Sequence, residues 1–134
     1  MAADPIRLSV VIPAFNEARR LPGTLDQVTA YLMRQDYRSE ILVVDDGCTD
    51  GTGELVRGWP AGPVPLRLVA HPDGRNHGKG ASVRLGLGAG VGAYRLFMDA
   101  DSSTTIDHVE RFWPAFAAGY DVVIGSRDVA GAQV

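Results

Sequence analysis

One cysteine, Cys48, stands among 134 residues. An internal disulfide is thereby excluded, and the composition suits a reducing compartment such as the cytoplasm. Long apolar runs are missing as well. None approaches the roughly 18–20 residues that cross a bilayer. The longest candidate, LGLGAGVGA at 85–93, is short and rich in glycine. The opening MAADPIRL has neither the charged leader nor the apolar stretch of a secretory signal. A soluble chain is expected. Basic charge is not in excess either. Lys and Arg number 13 against 16 Asp and Glu, a net charge of −3, so no global basic field recruits nucleic acid. No repeat, low-complexity tail or long linker divides the chain. Residues 1–134 therefore read as one domain with room for a real core.

What is present alternates. RLSVVIP (7–13) is a short apolar run closed by proline, the pattern of a strand buried on both faces. Leu21, Leu25, Val28 and Leu32 then recur at helical spacing, with Pro22 suited to a first turn. EILVVDD (40–46) predicts a second strand. GTGELVRGW (51–59) predicts a short helix that the Asp50 carboxylate can cap. PAGPVP (60–65) is a loop, and LRLVAH (66–71) predicts a third strand. The polar loop PDGRNHGKG leads into a helix over 80–92, then a fourth strand, YRLFMDAD (94–101). A helix over 105–119 follows, kinked or shortened at Pro114, and then a fifth strand, YDVVIGSR (120–127). The tail DVAGAQV shows no clear structure. Strand and helix in alternation predict an α/β fold, a parallel sheet with helices on both faces.

In open parallel sheets, ligands bind outside the carboxyl ends of the strands. Polar residues gather at those ends here: Pro13, Asn16 and Glu17; Asp45 and Asp46; Asn76, His77 and Lys79; Asp99 and Asp101; Ser126 and Arg127. The pair in MDAD (98–101) suits a hard divalent cation, Mg²⁺ or Mn²⁺, which also removes the repulsion between the carboxylates. The alternative is a solvated surface pair. NHGKG (76–80) offers glycines that let backbone approach a phosphate and a lysine cation beside it. It matches neither G-x-x-x-x-G-K-[ST] nor G-x-G-x-x-G, and an ordinary glycine turn is the competing account. Asp45 and Asp46 can accept from a ribose hydroxyl or a base N–H, or simply build an Asp-Gly turn. His71, His77 and His108 have no metal-ligand spacing, and Cys48 has no evident base partner. Trp59, Phe112, Trp113 and Phe116 read as core or helix surface rather than a stacking platform.

Taken in order, VVIPAFNEARRL, VVDDGCTDGT, NHGKGAS, MDADSST and VIGSR resemble the inverting family-2 nucleotide-sugar glycosyltransferases of GT-A fold. The resemblance runs from about residue 7 to 127 and is nearest to the polyprenyl-phosphate (dolichyl-phosphate) glucosyltransferases. It implies a three-layer, Rossmann-like, mostly parallel fold. It also implies a role for each matching position. Pro13, Phe15 and Glu17 would line the nucleotide pocket. Asp46 would bind the base, with Asp45 supporting the loop or ribose. Lys79 would face the donor phosphates. Asp99 and Asp101, with Ala100 between them in the same pocket, would hold Mg²⁺ or Mn²⁺ against the diphosphate. Arg127 would meet a phosphate, that of the lipid acceptor being one candidate, and Asp101 and Arg127 would be the residues closest to catalysis.

Two departures stand out. Position 48 carries Cys where the family usually has Ser, and a thiol is a weak hydrogen-bond donor. Family catalytic domains also run well beyond 134 residues, and many members add membrane helices. A donor-binding N-terminal portion, truncated and inactive alone, is therefore expected, from a protein working at the cytoplasmic face of a membrane. The donor implied is UDP-glucose and the acceptor a polyprenyl or dolichyl phosphate. The alternatives are GDP-mannose or a hydroxyl acceptor on the same fold, and a non-catalytic nucleotide-binding module.

Overall fold

The computed structural model describes residues 5–100, 106, 110, 122–124 and 132–133. Six strands form one sheet: β1 (Ile6–Ala14), β2 (Arg38–Asp45), β3 (Leu66–Ala70), β4 (Tyr94–Phe97), β5 (Val122–Ile124) and β6 (Ala132–Gln133). Three helices alternate with the first four strands: α1 (Leu21–Met33), α2 (Thr52–Arg57) and α3 (Lys79–Ala89). The strand order is β3-β2-β1-β4-β5-β6. All neighbours run parallel except β5 and β6. The chain winds outward from β1 to β3, then crosses back to place β4 on the other side of β1. That reversal opens a crevice at the carboxyl end of β1, where such sheets bind ligands.

The apolar runs form strands because both faces of the sheet are covered. Val10 and Ile12 of β1, Ile41 and Val43 of β2 and Leu96 of β4 join one core with Leu21, Leu25, Val28, Tyr31 and Leu32 of α1 and Val56 of α2. The alternate residues Val11, Val44 and Phe97 face the other way, against Val83, Leu85 and Leu87 of α3. Period-2 alternation within wholly apolar strands thus sorts side chains between two layers. Each fully buried aliphatic side chain contributes roughly 1.5–3 kcal/mol. Gly86 lets α3 lie close: a Cβ there would collide with Val11 Cγ1 and sit 2.8 Å from Val44 Cγ2.

The helical spacing at 21–32 and the position of Pro22 are as expected. Several boundaries differ. α3 stops at Ala89 rather than 92, because Gly90 turns extended (φ −66°, ψ 142°). Gly92 then packs so close that a Cβ would lie 2.7 Å from the Ser9 nitrogen. β3 ends one residue before His71, and β4 ends at Phe97, before the Asp99 carboxylate. Asp50 sits one position before the α2 N-cap, Gly51, yet its Oδ1 still accepts from the Thr52 N–H at 3.1 Å. The tail, read as unstructured, supplies β6. The expected helix over 105–119 lies largely outside the described residues, as do most of the expected fifth strand, Asp101, His108, Phe112, Trp113, Phe116, Ser126 and Arg127.

Candidate functional site

The loops after β1, β2 and β3 are tied together by side chains bonding to backbone. Asn16, in left-handed backbone (φ 54°), accepts the Thr49 N–H on its Oδ1 at 2.8 Å. Such a backbone is tolerated by asparagine better than by most residues. Thr52 Oγ1 accepts the Glu17 N–H at 3.1 Å, and Asp50 Oδ2 accepts the Ala18 N–H at 3.1 Å. The Thr52 hydroxyl and two backbone N–H groups that bond it hold the Asp50 carboxyl below its usual range. Cys48 links the same two loops. Its Sγ accepts the Asn16 N–H at 3.3 Å and donates to the Ala14 carbonyl at 3.2 Å. Burial pushes the Cys48 thiol up, and Asp45 adds to that, which favours the thiol form that donates to Ala14.

The two adjacent aspartates separate by role. Asp45 Oδ1 accepts the Cys48 N–H at 2.8 Å and so closes its own turn. Asp46 is buried, and its N–H donates to the Ala14 carbonyl at 3.0 Å. Its carboxylate reaches across to the next loop. It accepts the His77 N–H at 2.7 Å, the Gly78 N–H at 3.1 Å and Asn76 Nδ2 at 3.2 Å. Gly47 permits that closeness, since a Cβ would lie 2.5 Å from the Asn76 nitrogen. His77 turns away to Asp73, with Nε2 at 2.8 Å from Oδ1.

The fourth loop is anchored on either side of its carboxylate. The Met98 N–H donates to the Val11 carbonyl at 2.9 Å, and the Thr24 hydroxyl donates to the Ala100 carbonyl at 2.6 Å. Asp99 is thereby fixed at the crevice, where Lys79 Nζ, from the first residue of α3, meets its Oδ1 at 2.6 Å. The same ammonium lies 5.6 Å from the centre of the Phe97 ring. These elements enclose a cleft of about 180 Å³ lined by Pro13, Ala14, Phe15, Glu17, Asp46, Lys79, Asp99 and Ala100. Phe15 is half exposed at its wall.

Seven of the positions named from sequence thus meet in one cleft. Asp45 is not among its lining residues, and its carboxylate closes the turn to Cys48 instead. Ala14, whose carbonyl receives both Asp46 and Cys48, has no sequence signal. Thr52 and Asp50 are foreshadowed by the density of Asp and Thr after β2. Among the described residues, no three His, Cys, Asp or Glu side chains form a metal-holding group. Asp99 alone still fits a hard cation. Its carboxylate lines the cleft with Lys79 on one oxygen, and Mg²⁺ commonly takes one or two carboxylates with substrate phosphates.

The chain matches the glycosyl transferase family 2 description over residues 9–134. It belongs to that family. It is 34% identical to a dolichyl-phosphate beta-glucosyltransferase of Homo sapiens over 78% of this chain and 34% of that protein. It is 35% identical to an undecaprenyl-phosphate 4-deoxy-4-formamido-L-arabinose transferase of Aeromonas hydrophila over 87% of this chain and 35% of that protein. Among solved structures it resembles the mannosyltransferase from Pyrobaculum calidifontis in complex with GDP-Man and Mn²⁺. That match has TM-score 0.61 and 30% identity, covering 73% of this chain and 30% of that one. The family-2 chain therefore spans about a third of the length of these relatives. The GT-A fold expected from the motifs is the fold of these structural neighbours.

Proposed function

We propose that this chain is the donor-binding part of an inverting, metal-dependent glycosyltransferase that moves glucose from UDP-glucose to a polyprenyl or dolichyl phosphate. The observation that carries this reading is the cleft at the β1 switch point, where Lys79 and Asp99 face each other above Asp46. Pro13 and Phe15 form the wall for the nucleoside, and Glu17 and the Asp45–Asp46 corner border it. Lys79 stabilises charge developing on the departing diphosphate. Asp99 and Asp101 would hold Mg²⁺ or Mn²⁺, which supplies Lewis-acid stabilisation of the same phosphates. A lipid phosphate is already anionic at neutral pH. It needs positioning, here given to Arg127, rather than a general base, and it draws the reaction to the cytoplasmic face of a membrane. No helix among the described residues is long and apolar enough to cross one.

GDP-mannose is the competing donor, because the Pyrobaculum mannosyltransferase is in complex with GDP-Man and Mn²⁺. A thermal-shift titration of the 134-residue chain with each nucleotide sugar, with and without Mn²⁺, separates the two. A ligand specific to the folded state at a hundred times its Kd adds about 2.7 kcal/mol. A Mn²⁺-dependent shift with UDP-glucose is the expected outcome, and Asp101→Asn is expected to remove the Mn²⁺ dependence. A shift with GDP-mannose alone reassigns the donor. An unaltered Mn²⁺ response in Asp101→Asn removes Asp101 from the metal site.

A further inference from the structure

His71 has no place in the reading of the cleft, yet its position is unusual. It follows β3, is 9% exposed, and touches three separate pieces of the loop assembly. Its Nε2 lies 2.9 Å from Ser82 Oγ and 3.5 Å from Asp46 Oδ1. Its ring packs on that of His77 at 4.4 Å between centroids. Ser82, wholly buried, belongs to the first turn of α3. Asp46 in turn holds the backbone of His77 and Gly78 and the side chain of Asn76. A carboxylate offers about four lone-pair sites, and this buried one has three taken by the turn and His71 beside it. The resemblance gives Asp46 to the base; the hydrogen bonds give its carboxylate to the turn. The residue immediately after that turn is Lys79.

We infer that His71 is a positioning residue for the donor diphosphate. With Asp46 it clamps the 76–78 turn to the first turn of α3, and so fixes the point from which Lys79 reaches into the cleft. A lysine ammonium rides on a flexible four-carbon stem, so its backbone origin is what the fold can preset. The inference rests on the donor-binding reading of the cleft. It assigns a phosphate effect to a residue with no path of its own to phosphate.

The test measures UDP and uridine binding to the 134-residue chain in Mn²⁺ by calorimetry and NMR titration, with GDP and guanosine in parallel. His71→Ala is expected to weaken UDP about tenfold and to leave uridine unchanged. His71→Gln, whose amide can meet Ser82, is expected to restore most of the loss. In a Lys79→Ala background, His71→Ala is expected to add nothing, since the two act as one unit. Ser82→Ala serves the same comparison if His71→Ala does not fold. Equal losses for UDP and uridine, an unaltered UDP affinity, or a full additional loss on top of Lys79→Ala would overturn the clamp. Binding of neither UDP nor GDP by the unaltered chain instead overturns the donor reading itself.

Discussion

Cys48 shows how much a single atom can be asked to do. Its sulfur receives one loop's N–H and donates to the last carbonyl of β1, both at distances long for an oxygen and ordinary for sulfur. A hydroxyl is the stronger donor and acceptor of the two. Cys48→Ser is expected to raise stability by about 0.5–1 kcal/mol, read as a higher urea midpoint at unchanged slope. Lower stability would mean that the larger sulfur is needed to span the gap. Burial and the raised thiol pKa also predict slower alkylation at neutral pH in the folded state than in urea, read by the rate of thiol modification.

At the scale of elements, the close approach of α3 to the sheet is the most demanding contact. Gly86 faces Val11 and Val44, and neither wall has a flexible end that could swing clear. Gly86→Ala normally gains helix propensity, about 1 kcal/mol. Here overpacking opposes it, and a net loss of about 1–3 kcal/mol is expected in chemical denaturation. A stabilised variant would show that α3 can lift off the sheet cheaply. The same element shows what sequence reveals and what it withholds. Strands β1 and β2 are legible because burial on both faces leaves continuous apolar runs. The cleft residues are legible because a parallel sheet delivers its loop residues to one end. The end of α3 is not, since the expected helix runs on through 80–92, whereas Gly90 turns extended and the Val91 and Gly92 N–H groups bond Glu40 and Ser9 instead. β6 is two residues long and carries no periodicity. The role of His71 depends on partners 11 and 25 positions away, which spacing does not disclose.

At the scale of the whole molecule, the end of the sheet opposite the cleft is fastened by one buried acid. Glu40 of β2 accepts from the Ser9 hydroxyl at 2.7 Å, from the Val91 N–H at 2.7 Å and from Arg67 Nε at 3.1 Å. Arg67 continues to the Ala89 carbonyl at 2.8 Å. Strands β1, β2 and β3 and the exit of α3 thus share one group. Burial alone pushes the Glu40 carboxyl up, but Ser9, the Val91 N–H and Arg67 together hold it below its ordinary 4.5. A depressed carboxyl stabilises the fold above its unfolded pKa, and that stability is lost as pH falls through the folded value. Urea midpoints are therefore expected to drop as pH falls below about 4.5. Glu40→Gln is expected to cost about 1.5–3 kcal/mol at neutral pH and to flatten that acid limb. An acid limb unchanged in the variant would move the proton-linked loss to other carboxylates.

The side-chain bonds that join the first three loops carry a thermodynamic consequence. Asn16 to Thr49, Ala18 to Asp50, Glu17 to Thr52 and Asp46 to the 76–78 turn all exist within the protein itself. The ordering of those three backbones is completed during folding, so a ligand entering the cleft meets these three loops already in place. Little loop entropy remains to be lost on association. Binding should then proceed close to lock-and-key, with a heat-capacity change set by the surface of the ligand rather than by any coil that condenses around it.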